Sequence, residues 1–207
     1  MLYVSGIGHV TDDKISAEFK KQSWEYAGIK KLHRCLKDNG IIQNSLKDFG
    51  RLDVVSKKTV AAVGLALYDA SLFSVNDDIG IIGSSNTGSL SSNMEFFKDY
   101  VDSGRKMARG NLFVYTLPSA ALAAAAIAFG FKGPLFFEMY SCSSFYQLIE
   151  SATKTISDQD CKGMVAISEF ENKVSAYLIE EIDEKLPKTT TMTVDELLSS
   201  NMERKDK

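Results

Sequence analysis

The sequence predicts an α/β fold, a mixed sheet with helices on both faces. Three observations carry that reading. Short apolar runs of strand length recur, near Leu2–Ser5, Ile79–Ser84, Leu135–Tyr140, Met164–Ser168 and Val174–Glu180. Between them lie segments whose apolar residues recur every three or four positions, as on the buried face of a helix. At 207 residues the chain has the length of one domain with a full core.

Composition narrows the function. A formal net charge of −3 gives no basic field for nucleic acid. Three cysteines, Cys35, Cys142 and Cys161, show neither metal-ligand spacing nor the even count of a disulfide framework. No stretch reaches the ~18 apolar residues of a membrane helix. The opening MLYVSGIGHV has no cationic region before a long apolar run, so no signal peptide is visible. A cytoplasmic setting is expected, with no cofactor, no metal and no membrane or nucleic-acid partner.

Taken in order, Leu2-Tyr3-Val4 reads as a strand running into a loop that holds Gly6 and Gly8. A third glycine and an immediate helix are missing, so no dinucleotide fingerprint is present. Residues 11–52 read as a helical or irregular covering layer, with His33 among Lys30, Lys31, Arg34 and Lys37 on a solvated face. Arg51-Leu52-Asp53 precedes a helix carrying Val60, Val63, Leu67 and Ala70. After the strand at Ile79–Ser84, Asn86–Ser89 forms a loop and Ser92-x-x-Glu95 reads as a capping box. Gly104–Tyr115 reads as a loop. Pro118 stands near the start of an alanine-rich helix, Ala120–Phe129, which is expected to be buried.

The most informative stretch is Gly133–Ile156. An apolar run ends in Ser141-Cys142-Ser143-Ser144, and helical spacing begins at Phe145. Cys142 therefore falls at a strand-to-helix corner, where free amide donors lower a thiol pKa and favour a nucleophile. Two further strands follow, separated only by Phe170-Glu171-Asn172, so they pair antiparallel. Residues 1–182 form the domain; residues 183–207 are a charged tail, expected to be partly disordered, in which Thr193-x-x-Glu196 caps a short helix.

Gly-Pro, a strand, Cys-Ser-Ser and a helix together resemble the nucleophile elbow of the β-ketoacyl synthases, members of the thiolase-like superfamily. The likeness extends to the glycine-bearing first strand, Arg51-x-Asp53, the helix after Pro118, and Gly130-x-x-Gly133-Pro134. It spans residues 2 to about 181. At Ser168-Glu169 the chain departs from the family's glycines. The resemblance implies a thiolase-like half domain, a five-stranded sheet of order 3-2-1-4-5, with right-handed crossovers joining the first four strands. It makes Cys142 the candidate acyl-accepting nucleophile and places Ala121, Phe137, Met139 and Phe145 at the substrate tunnel or the subunit interface.

The family's catalytic histidines come from a second half that these residues do not match. The two histidines here, His9 and His33, fit neither motif. Claisen condensation needs a stabilised carbanion as well as a thiolate, so condensation by this chain alone is not expected. The leading expectation is a truncated ketosynthase-like subunit, similar to chain-length factors, of a fatty acid or polyketide-type pathway such as aryl polyene or flexirubin pigment synthesis. It would form a homodimer, or a heterodimer with a complete ketosynthase, through its third strand and would meet an acyl carrier protein. The alternatives are an acyl-accepting transferase using Cys142 and a cysteine hydrolase with His9 as base.

Overall fold

In the computed structural model, which describes residues 1–42, 46, 48–72, 78–106, 109–139, 144–182 and 191–203, the first strand is longer than its apolar run. β1 is Leu2–Val10 and contains both glycines expected in a loop. The reason is helix α2, Val54–Asp69, which crosses it. A Cβ on Gly6 would stand 2.0 Å from the Ala66 carbonyl oxygen, and one on Gly8 2.3 Å from that of Ala62. Glycine within a strand marks this kind of backbone approach.

Both ends of α2 are pinned. Asp53 caps the first turn, accepting the Ser56 N–H at 2.8 Å. At the far end the buried Asp69 carboxylate accepts three backbone N–H groups, from Ile7 at 2.9 Å, Phe19 at 3.1 Å and Lys20 at 2.9 Å. Ile7 follows the β1 irregularity between Val4 and Gly6. One side chain thus holds helix, strand and turn together.

The covering layer expected over residues 11–52 is partly sheet. β2 (Lys14–Ala17) and β3 (Gln22–Glu25) form a hairpin on β1, followed by the short helix α1, Leu32–Asp38. Their brevity hid the alternation: Ile15 and Ala17 are buried while Ser16 is only half-buried. His33 is not on a solvated face, since its ring stacks on Phe49 with centroids 4.9 Å apart.

The remaining strands are β4 (Ile79–Ser85), β5 (Leu135–Glu138), β6 (Gly163–Phe170), β7 (Lys173–Glu181) and β8 (Met192–Thr193). The α/β class and mixed sheet are as expected; the strand number and order are not. The described residues form an eight-stranded sheet, β3-β2-β1-β7-β6-β4-β5, with β8 also on β1. β5, β4 and β6 are parallel, and β7 runs antiparallel to β6. The expected order put β1 in the centre and β7 at an edge. Instead β7 is buried on both faces from Val174 to Ile179, and an interior strand needs partners on both sides. β1 supplies the second, pairing antiparallel from Leu2↔Glu181 to Val10↔Val174.

Two cores flank this sheet. One lies under α1, α2 and helix α5, Ala120–Phe129. The other lies under helix α6, Ser144–Ser157, and helix α7, Val194–Glu203. The Thr193 capping box forms as expected: the Thr193 N–H donates to Glu196 Oε2 at 2.7 Å, and the Glu196 N–H to Thr193 Oγ1 at 3.2 Å. The Ser92 box does not form. Ser92 is inside helix α3, Leu90–Asp102, and its hydroxyl donates to Asp53 Oδ2 at 2.9 Å. The expected loop after α3 holds a short helix, α4, Gly110–Val114, where Phe113 meets Phe96. α5 is not buried: only Leu122 and Ala125 are covered, and Ile127 is 83% exposed.

Candidate functional site

The parallel strands β4, β5 and β6 end on the same side of the sheet, the usual place for a site in such a fold. There a cleft of about 30 Å³ opens between the first turn of α2, the ends of β4 and β6, and the segment leading into α5. Glycine makes the approach of α5 possible, because a Cβ on Gly83 would come within 2.7 Å of a Leu122 methyl. Ala121, Leu122, Phe137 and Ile167 give an apolar wall, while Asp53, Ser56, Tyr115 and Glu169 give a polar one.

The polar wall has a definite order. Asp53 has both carboxylate oxygens occupied, by the Ser56 N–H and the Ser92 hydroxyl. Ser85 accepts the N–H groups of Thr87 and Gly88, at 3.2 and 3.1 Å, and so folds the turn after β4. Burial pushes the Glu169 carboxyl above its ordinary range, opposed by a hydrogen bond with Ser85 and the charge of Lys58, and assisted by Asp53. Burial, then the Asp53 charge, raises the Tyr115 hydroxyl as well, which donates to the Arg51 carbonyl at 3.2 Å. Ser56 is 1% exposed and its hydroxyl has no hydrogen-bond partner among the described residues.

A larger polar hollow of about 380 Å³ adjoins the cleft and shares Asp53, Ser92 and Glu169 with it. Lys58 stands in its wall, buried, at 2.6 Å from Asp12 Oδ1 and donating to the Asn172 carbonyl at 2.9 Å. No group of three or more His, Cys, Asp or Glu side chains among the described residues is arranged to hold a metal ion.

The residues singled out from the sequence divide. Ala121 and Phe137 come together in the cleft wall. Met139, 65% exposed, lies beyond the end of β5. Phe145 is on the opposite face of the sheet, edge-on to Tyr177 at 5.2 Å. Cys142 lies outside the described residues; β5 ends before it at Glu138 and α6 begins after it at Ser144. His9 Nδ1 meets the Ser175 hydroxyl on the neighbouring strand at 2.9 Å. Sequence reasoning missed Ser56 and Glu169. The signal for Glu169 was its position where the resembling family has glycine; Ser56 in a first helical turn gave none.

The family model for the beta-ketoacyl synthase, N-terminal domain, matches residues 5–168. The chain belongs to that family. No curated protein matches the sequence. Among solved structures, the ishigamide ketosynthase/chain length factor has a TM-score of 0.62 at 13% identity, covering 88% of this chain and 63% of that one. A beta-ketoacyl synthase from Burkholderia phymatum has a TM-score of 0.58 at 16% identity, covering 87% and 59%. A ketosynthase (ApeO) in complex with its chain length factor (ApeC) from Xenorhabdus doucetiae has a TM-score of 0.56 at 15% identity, covering 88% and 80%. The chain thus spans about 60% of the length of the first two, and the likeness is one of fold. Among the described residues no helix is long and apolar enough to cross a membrane.

Proposed function

We propose that this chain is a ketosynthase-like subunit that pairs with a complete ketosynthase and shapes its acyl tunnel, in a fatty acid or polyketide-type pathway of the aryl polyene or flexirubin kind. The observation that carries the reading is the open β5 edge. Among the described residues β5 pairs with β4 only and ends the sheet. On β5 Leu135 is 37% exposed and just past it Met139 65%, while Ile127 on α5 is 83% exposed and Leu117 before α5 58%. An apolar edge strand beside an apolar helix is costly in water and calls for a partner. The ketosynthase–chain length factor complex among the structural neighbours supports this choice of partner.

A complete ketosynthase would bring the catalytic histidines, and the cleft behind α5 would lie against the shared tunnel, with Ala121 leaving room for the chain. An acyl carrier protein would deliver that chain. The test is co-expression with a complete ketosynthase from the same genome, followed by affinity capture and light scattering. A one-to-one complex is expected. A chain that stays monomeric beside every co-expressed ketosynthase overturns the reading, and a stable homodimer that excludes the ketosynthase overturns the unequal pair.

A further inference from the structure

We infer that the cleft behind α5 receives the oxygen-bearing end of an acyl chain, a terminal hydroxyl or carbonyl, in preference to a hydrocarbon end, with Ser56 as the hydrogen-bond donor. This deepens the acyl-tunnel reading and rests on it. Ser56 is in the first turn of α2, and with Thr59 one turn on it lines the cleft. It is 1% exposed, and its hydroxyl has no partner among the described residues. The nearby Asp53 is not its partner: the two Asp53 oxygens accept the Ser56 N–H and the Ser92 hydroxyl.

Polar groups so deeply buried are rarely left unpaired. Across the cleft stand Leu122, Phe137 and Ile167, which offer nothing to a hydroxyl. A methyl terminus would leave the Ser56 hydroxyl unpaired, whereas a ligand oxygen would accept its proton. The volume, about 30 Å³, suits an end group rather than a length of chain. The rest of the chain would extend outward past Ala121.

The experiment compares the N-acetylcysteamine thioesters of decanoate and ω-hydroxydecanoate, titrated calorimetrically into the chain and its ketosynthase complex. The hydroxylated chain is expected to bind about tenfold more tightly, as for one recovered buried hydrogen bond. Ser56→Ala is expected to erase the difference without lowering the melting temperature, and Ser56→Cys, which keeps the side-chain shape, to weaken it. Equal binding of the two thioesters overturns the oxygen preference and leaves the tunnel reading standing. A preference that survives in Ser56→Ala overturns the role of Ser56. Failure of both thioesters to bind overturns the tunnel reading and this inference together.

Discussion

Glu169 shows how a single side chain records its surroundings. Its carboxyl lies above the ordinary value of 4.5 because burial penalises its charge more than Ser85 and Lys58 offset it. The folded state therefore holds this proton more tightly than the unfolded chain does. The resulting stability is complete below 4.5 and is lost as pH rises through the raised value. Glu169→Gln removes that loss, so its melting temperature relative to the parent is expected to climb as pH rises above 4.5. Melting curves at stepped pH measure this, and a constant offset would refute it. The cysteines differ in the same way. Burial raises both the Cys35 and Cys161 thiols, whereas Cys142 falls in the sequence just before α6 begins at Ser144. Limited iodoacetamide followed by mass mapping is expected to find Cys142 alkylated first; prior labelling of either other thiol would count against it.

At the scale of elements, α2 is the organiser, and its attachments can be tested one at a time. Asp69→Ala strands the three amides of Ile7, Phe19 and Lys20. A loss of about 3 kcal/mol in denaturant stability is expected, since each buried donor left unpaired costs about 1–3 kcal/mol and some relaxation offsets the sum. Gly8→Ala puts a methyl 2.3 Å from the Ala62 carbonyl oxygen, so helix and strand must separate. A loss of about 1–3 kcal/mol is expected, the range for overpacking. A substitution at Gly110, where an added Cβ meets nothing within 4 Å among the described residues, is the control and is expected to leave packing unchanged.

For the whole molecule, the uneven surface is the informative property. α3 has no buried residue, and Leu90, Met94 and Phe97 on it are 55%, 65% and 65% exposed. The exposed apolar residues of α4, α5 and β5 belong to elements next along the chain. Charging the β5 side, with Ile127→Lys and Leu135→Lys together, is expected to abolish capture by a complete ketosynthase. The melting temperature should hold, because surface substitutions are usually worth no more than about 0.5 kcal/mol each. Lost capture with an intact fold supports an interface there; retained capture moves the interface elsewhere.

What the sequence determined by itself was local. Strand-length apolar runs placed β4 and β6 to within a residue or two. Thr193-x-x-Glu196 specified its own cap, and the link at Phe170–Asn172 was too short for anything but an antiparallel return. The elbow motif and the glycines carried the family. What only tertiary structure decided was set by contacts between distant residues. The place of β1 beside β7 follows from a β7 buried on both faces, which periodicity alone does not reveal. Ser92 left its box because Asp53, 39 positions away, offered its hydroxyl a carboxylate. The cleft was invisible for the same reason. Ser56, Phe137 and Glu169 belong to separate elements, and only the crossing of α2 and α5 over the strand ends brings a buried hydroxyl and an apolar wall to one place.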